Sequence, residues 1–186
     1  MSFGFRSDQP SIKEAISTAV HSRKSKILFF AAAGNRGANE EELYPASSQH
    51  VISVRATDHV GTFVGDYNPA PSPQPMSEAT ALYGTLGVNV PYDYPSAKLM
   101  SGCSIATPIM AGMAALIMQY AAYHDAKEQS LAYLREKAGL LWLFQHKGVR
   151  QGNGRTYIHL ETLLKQNAPD WVNELDSLMK KLASYM

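Results

Sequence analysis

Ser101-Gly102-Cys103-Ser104-Ile105-Ala106-Thr107-Pro108 runs straight into the apolar stretch Ile109–Met118, and this junction decides how the chain is organised. The residues before Ser104 are small and turn-prone. Those after it repeat Ala and large apolar side chains at three- and four-residue spacing, the pattern of a buried helix. Ser104 therefore falls at a helix start. There the free backbone N–H groups and the positive end of the helix dipole favour negative charge forming beside the hydroxyl. Serine is also among the best N-cap residues, so the motif by itself fits simple capping as well as nucleophilic catalysis.

The flanking sequence predicts an α/β layer built on a mostly parallel sheet. Met1–Phe5 reads as a short strand. Ser11–Lys24 carries Ile12, Ala15, Ile16, Ala19 and Val20 at the spacing of an amphipathic helix, with Ser11 as its cap. Ile27–Ala33 is a continuous apolar run, as expected of a strand buried on both faces. Strand, helix and strand in succession predict a right-handed parallel crossover. His50–Arg55 adds another strand, Gly61–Tyr83 with Pro69, Pro71, Pro73 and Pro75 reads as mostly loop, and Leu86–Val90 reads as a short strand before the serine turn. In such sheets ligands bind at the C-terminal ends of the strands. Gly34 and Asn35 fall at one such end, and Ser104 follows soon after another.

Length and composition fit part of one globular domain. The 186 residues are 45% hydrophobic, enough for a sizeable core. Seventeen Lys and Arg against sixteen Asp and Glu give a net charge of +1, with no long block of either sign, so neither nucleic acid nor an anionic membrane is indicated as a partner. No 18-residue apolar stretch is evident, and the N-terminus lacks the order of a signal peptide. The single cysteine, Cys103, excludes an intrachain disulfide and suits an intracellular protein without requiring one. No metal or cofactor is called for, and the GNRG turn lacks the G-x-G-x-x-G spacing of a dinucleotide site.

GCSIATPIMAGMAAL, residues 102–116, resembles the serine block of the subtilisin-like serine proteases, G-T-S-[MIV]-A-[ST]-P followed by x-x-A-G. Ile27–Gly37 (ILFFAAAGNRG) resembles that family's apolar strand ending in A-A-G-N. Tyr44-Pro45-Ala46 with Val51-Ile52-Ser53-Val54 resembles its Y-P-A and V-I-x-V block, and Met1-Ser2-Phe3-Gly4 its N-M-S-[LF]-G strand. Gly152-Asn153-Gly154-Arg155-Thr156 through Leu164 is similar to its closing G-x-G-x-[IV]-[ND] segment. The blocks stand in the family's order, which is far more specific than any one of them. The resemblance implies a three-layer subtilisin-like fold. Residues 1–165 correspond to the C-terminal portion of the catalytic domain, with the N-terminal half missing, and residues 166–186 to a terminal amphipathic helix.

The implied activity is peptide-bond hydrolysis on a polypeptide substrate, with Ser104 as nucleophile. The resemblance makes Asn35 an oxyanion donor beside the Ser104 N–H, gives Ser2, Phe3 and Gly4 the substrate-pairing strand, and makes Ala32, Ala33 and Gly34 a wall of the pocket for the residue before the scissile bond. Small residues in that wall predict an open, mostly apolar pocket. The family's Asp-[Ser/Thr]-Gly and His-Gly-x-His blocks are not found in the sequence: none of the six histidines is followed by Gly. The missing half is thus expected to carry the Asp and the His, and the chain alone is expected to be inactive. The alternative is a non-catalytic remnant or interaction module of a larger protein.

Several positions depart from the family pattern. Cys103 stands where Thr is commonest, and Ile109 where His is frequent. An unpaired Cys is usually an inert small apolar side chain, and beside the residue aligned with the nucleophile it is expected to make the enzyme sensitive to bulky thiol reagents. Asp58 and His59 are adjacent and point apart, so they read as a solvated turn rather than a relay. The proline-rich loop Asp66–Glu78 reads as a surface insertion. Gln119–His146 reads as the rest of the serine helix plus one more. In Asn167–Met186, Trp171, Val172, Leu175, Leu178, Met179 and Leu182 recur at helical spacing, a face for packing on the chain's own domain.

Overall fold

The computed structural model describes residues 1–22, 26–70, 81–93, 95–96 and 98–185. Its elements run α1 (Pro10–Ser22), β1 (Phe29–Ala32), β2 (Val51–Thr57), β3 (Leu82–Leu86), β4 (Val90–Asp93), β5 (Lys98–Met100), α2 (Cys103–Tyr123), α3 (Glu128–Leu134), α4 (Lys137–Lys147), β6 (Val149–Gln151), β7 (Arg155–Tyr157), α5 (Leu160–Leu163) and α6 (Ala168–Tyr185). A five-stranded sheet has the order β1-β2-β3-β7-β6. The first three pairings are parallel and β7 with β6 is antiparallel.

The fold is α/β, with helices on both faces of this mostly parallel sheet. Alternate residues of β1 and β2 point to opposite sides, so each face needs its own cover. Phe30, Ala32, Ile52, Val54 and Ala56 face α2 through Ala106, Met110, Met113, Ala114 and Ile117. Ala31 and Val51 face the other way, onto Ile16 of α1 and Ala46. At α4, Lys137 donates from Nζ to the carbonyls of Gln49 and Val51, which ties that helix to the start of β2.

Element boundaries differ from expectation for identifiable reasons. Helix α1 begins at Pro10, with the Gln9 carbonyl accepting from Lys13, so Ser11 lies inside the helix and is not its cap. Proline suits the first helical position because its missing N–H would be unbonded there anyway. Lys24 lies outside the described residues, as do Pro71, Pro73, Pro75 and Glu78 of the proline-rich loop and Met186. Met1–Phe5 is not a strand, because it changes partner along its length. Met1 bonds to Phe30 and Ala32, whereas Phe5 bridges to Tyr44. The strand expected at Leu86–Val90 is instead β3, Leu82–Leu86, whose buried centre Tyr83-Gly84-Thr85 shows no alternation to read. Two hairpins, β4–β5 and β6–β7, were also not expected.

Toward the C-terminus, α2 ends at Tyr123 and two helices follow where one was expected. Cys103–Tyr123 is long and apolar enough to span a membrane, with mean hydropathy 1.5, contrary to the reading that no such stretch exists. Here it packs on β1, β2 and β3 as the central core helix. All six apolar residues expected on one face of the terminal helix are buried in α6 and share the same core as the sheet.

Candidate active site

The serine turn is positioned by close backbone approach. Gly102 donates its N–H to the Gly87 carbonyl at 2.7 Å, just past β3. A Cβ on Gly87 would lie 2.8 Å from the Ala106 Cβ and 2.9 Å from the Ala56 Cβ, so only glycine lets the strand end meet the helix start this closely. Gly102 has φ +139, a backbone state that side chains avoid. Helix α2 then begins at Cys103, which puts Ser104 in its first turn.

Asn35 follows β1 and reaches across to that turn. Its Oδ1 accepts the Cys103 N–H at 2.6 Å, and its Nδ2 donates to Ser104 Oγ at 3.1 Å. The first bond fixes which way the amide faces, so the donor end is the one presented to the serine. Ser104 Oγ also donates to the Ser2 carbonyl at 3.3 Å. Among the described residues the Ser104 N–H has no hydrogen-bond acceptor, and no histidine bonds to Ser104 Oγ.

Pro108 explains a further tie. Inside a helix, proline at position i offers no N–H to the carbonyl at i−4. The carbonyl left over is that of Ser104, and the Ser2 hydroxyl donates to it at 3.1 Å. Ser2 and Ser104 therefore exchange two hydrogen bonds. They lock the N-terminal segment against the serine.

Beneath the turn, Asn68 holds the following loop. It donates to the carbonyls of Ala56 and Val64 and accepts the Ala56 N–H, all at 2.7–2.9 Å. Cys103 is fully buried, with Sγ 3.4 Å from Asn68 Oδ1, and burial pushes its thiol up from the ordinary value. A buried thiol held neutral is a poor target for thiol reagents. Asp58 accepts from the backbone of Val60 and Thr62, which holds its carboxyl below the usual value, and it forms the turn expected of it.

Next to Asn35 lies a cavity of about 100 Å³ lined by Gly4, Arg6, Gly34, Asn35, Arg36, Glu40, Glu41, Leu43 and Pro69. Gly4 and Gly34 are thus at its surface. Ala32 and Ala33 are not in its lining; both are buried, with their N–H groups bonded to the carbonyls of Met1 and Val54. Phe3 is half-exposed. Arg6, Arg36, Glu40 and Glu41 reach this lining from segments whose convergence the sequence does not display. Arg6 pairs with Glu40 at 3.2 Å. Gly102, Asn68 and the Ser2 hydroxyl were likewise not singled out for these roles. The one local clue was Pro108 four residues after Ser104.

The sequence profile of the Subtilase family matches residues 1–157. The chain is 27% identical over 169 residues to subtilisin-like protease het-Q2 of Podospora anserina, covering 86% of this chain and 43% of that protein. It is 33% identical over 128 residues to the major intracellular serine protease of Bacillus subtilis, covering 64% and 36%. Among solved structures, patellamide maturation protease PatA superposes with a TM-score of 0.60 at 21% identity, over 95% of this chain and 60% of that one. Prenylagaramide maturation protease PagA gives 0.61 at 19%, over 92% and 59%. The chain thus spans less than half the length of these curated relatives, and its profile match over residues 1–157 makes it a member of the subtilase family.

Proposed function

We propose that this chain forms the nucleophile and oxyanion side of a serine endopeptidase, with the general base and its orienting acid supplied by protein outside these 186 residues. The observation that carries the reading is the Asn35 amide, fixed by the Cys103 N–H and donating to Ser104 Oγ. In the reaction, Ser104 Oγ attacks the peptide carbonyl and gives its proton to the base. The base then protonates the departing amine, leaving an acyl-enzyme that water cleaves by the reverse transfers. Asn35 Nδ2 and the Ser104 N–H hold the oxyanion formed on the way. Among the described residues no histidine bonds to Ser104 Oγ, which supports a base supplied from outside them.

Substrate is expected to run beside Ser2, Phe3 and Gly4, with Gly34 on one side of the pocket and the buried Ala32 and Ala33 supporting it from the end of β1. Among the described residues, the backbone groups of Phe3 and Gly4 make no hydrogen bonds, so they are free to pair with an extended peptide. The test is casein hydrolysis by the full-length protein. Ser104→Ala should abolish it, and Asn35→Ala should lower kcat by about 10²–10³, the range established for an oxyanion-hole donor on a subtilisin itself. Unchanged hydrolysis by Ser104→Ala would overturn the assignment.

A further inference from the structure

The cavity beside Asn35 carries a statement about selectivity, and it rests on the reading of Ser104 as nucleophile. We propose that this cavity accepts a small polar side chain, such as Asn, Ser or Thr, at the residue before the scissile bond and disfavours large apolar ones. Size is the first argument. A benzene-sized ring occupies a cavity of about 150 Å³, and this one holds about 100 Å³. Leu43 and Pro69 set the limit. A Cβ on Gly4 would fall 2.6 Å from the Leu43 Cβ, and one on Gly34 would fall 3.3 Å from Pro69 Cγ, so both walls already touch the cavity's glycines.

The second argument is the chemistry of the lining. Two cations and two anions converge there, and Arg6 with Glu40 satisfies one of each. Among the described residues, Arg36 and Glu41 have no ion-pair partner and are exposed. A polar side chain offers hydrogen bonds to a guanidinium and a carboxylate at once. An apolar one strips water from both and returns nothing. A charged side chain meets its opposite and its like in the same space, so an uncharged polar group suits the lining best.

The experiment is a set of peptides identical except at that residue, cleaved by the full-length protein, with a fluorophosphonate label on Ser104 as the check that the site is active. Asn, Ser and Thr peptides should exceed Phe and Leu peptides at least tenfold in kcat/KM. Leu43→Ala should raise the Phe peptide relative to the Asn peptide at least tenfold. Arg36→Met with Glu41→Met, at two exposed positions, should narrow the Asn-to-Leu ratio at least threefold without disturbing the fold. Labelling of Ser104 with Phe or Leu preferred overturns the selectivity and leaves the protease reading standing. Absence of both labelling and cleavage overturns both.

Discussion

Asn35 can reach Ser104 because Gly102 has no side chain: a Cβ on Gly102 would sit 2.8 Å from Asn35 Oδ1 and 3.0 Å from Nδ2. The glycine therefore does two things at once. It adopts φ +139 at the helix start and leaves the space the amide occupies.

Gly102→Ala should accordingly damage both geometry and stability. Holding a non-glycine residue in a sparsely populated backbone state costs on the order of 1–3 kcal/mol, and the amide must move out of reach of the oxyanion. In the full-length protein kcat should fall about 10²-fold or more, as for loss of a single oxyanion donor, with KM changing less. Steady-state kinetics beside a thermal melt separate the two effects. Wild-type kcat in this variant would show that Asn35 is not positioned by Gly102.

Ser2→Ala removes the donor to the carbonyl that Pro108 leaves unbonded. The expected loss is about 1 kcal/mol, the usual net worth of one hydrogen bond. Urea unfolding measures it. Ser2→Thr, which keeps the hydroxyl, should recover most of the difference. A Ser2→Ala curve that overlays wild type would mean the bond contributes nothing.

Alkaline pH should destabilise the fold through Tyr83. Burial pushes its hydroxyl up to about 12, and the thiol of Cys103 is raised for the same reason. An unfolded tyrosine ionises near pH ~10. Above that the unfolded chain gives up a proton that the folded one keeps. Stability present at neutral pH is therefore lost as pH rises from ~10 through the folded value, by at most about 2–3 kcal/mol for Tyr83. Denaturant titrations at several alkaline pH values should show the decline, and Tyr83→Phe should flatten it. An equal slope in both proteins would contradict the assignment to Tyr83.

Much of this arrangement was legible in the sequence where local pattern and position coincide. The helix start at Ser104, the strand end before Asn35 and the six-residue apolar face of α6 are each readable within a few residues, whereas the chemical roles given to Ser104 and Asn35 came from the resemblance of whole blocks. The misses have a different character. Strand β3 hides in Leu82–Leu86 because its middle is buried on both faces and contains Gly84, which packs under Phe63. The Ser2–Ser104 exchange spans 102 positions in sequence, and the Arg6–Glu40 pair spans 34. Contacts made by topology leave no periodic trace. The charged cavity therefore had to be found in three dimensions.

The most direct test of the central claim is fluorophosphonate labelling of the full-length protein, read by peptide mass spectrometry. The account predicts one modified site, Ser104, with labelling lost in Ser104→Ala and slowed about a hundredfold in Asn35→Ala, in line with the loss of one oxyanion donor. Proteolysis that persists in Ser104→Ala, or a label carried on another residue, would contradict it.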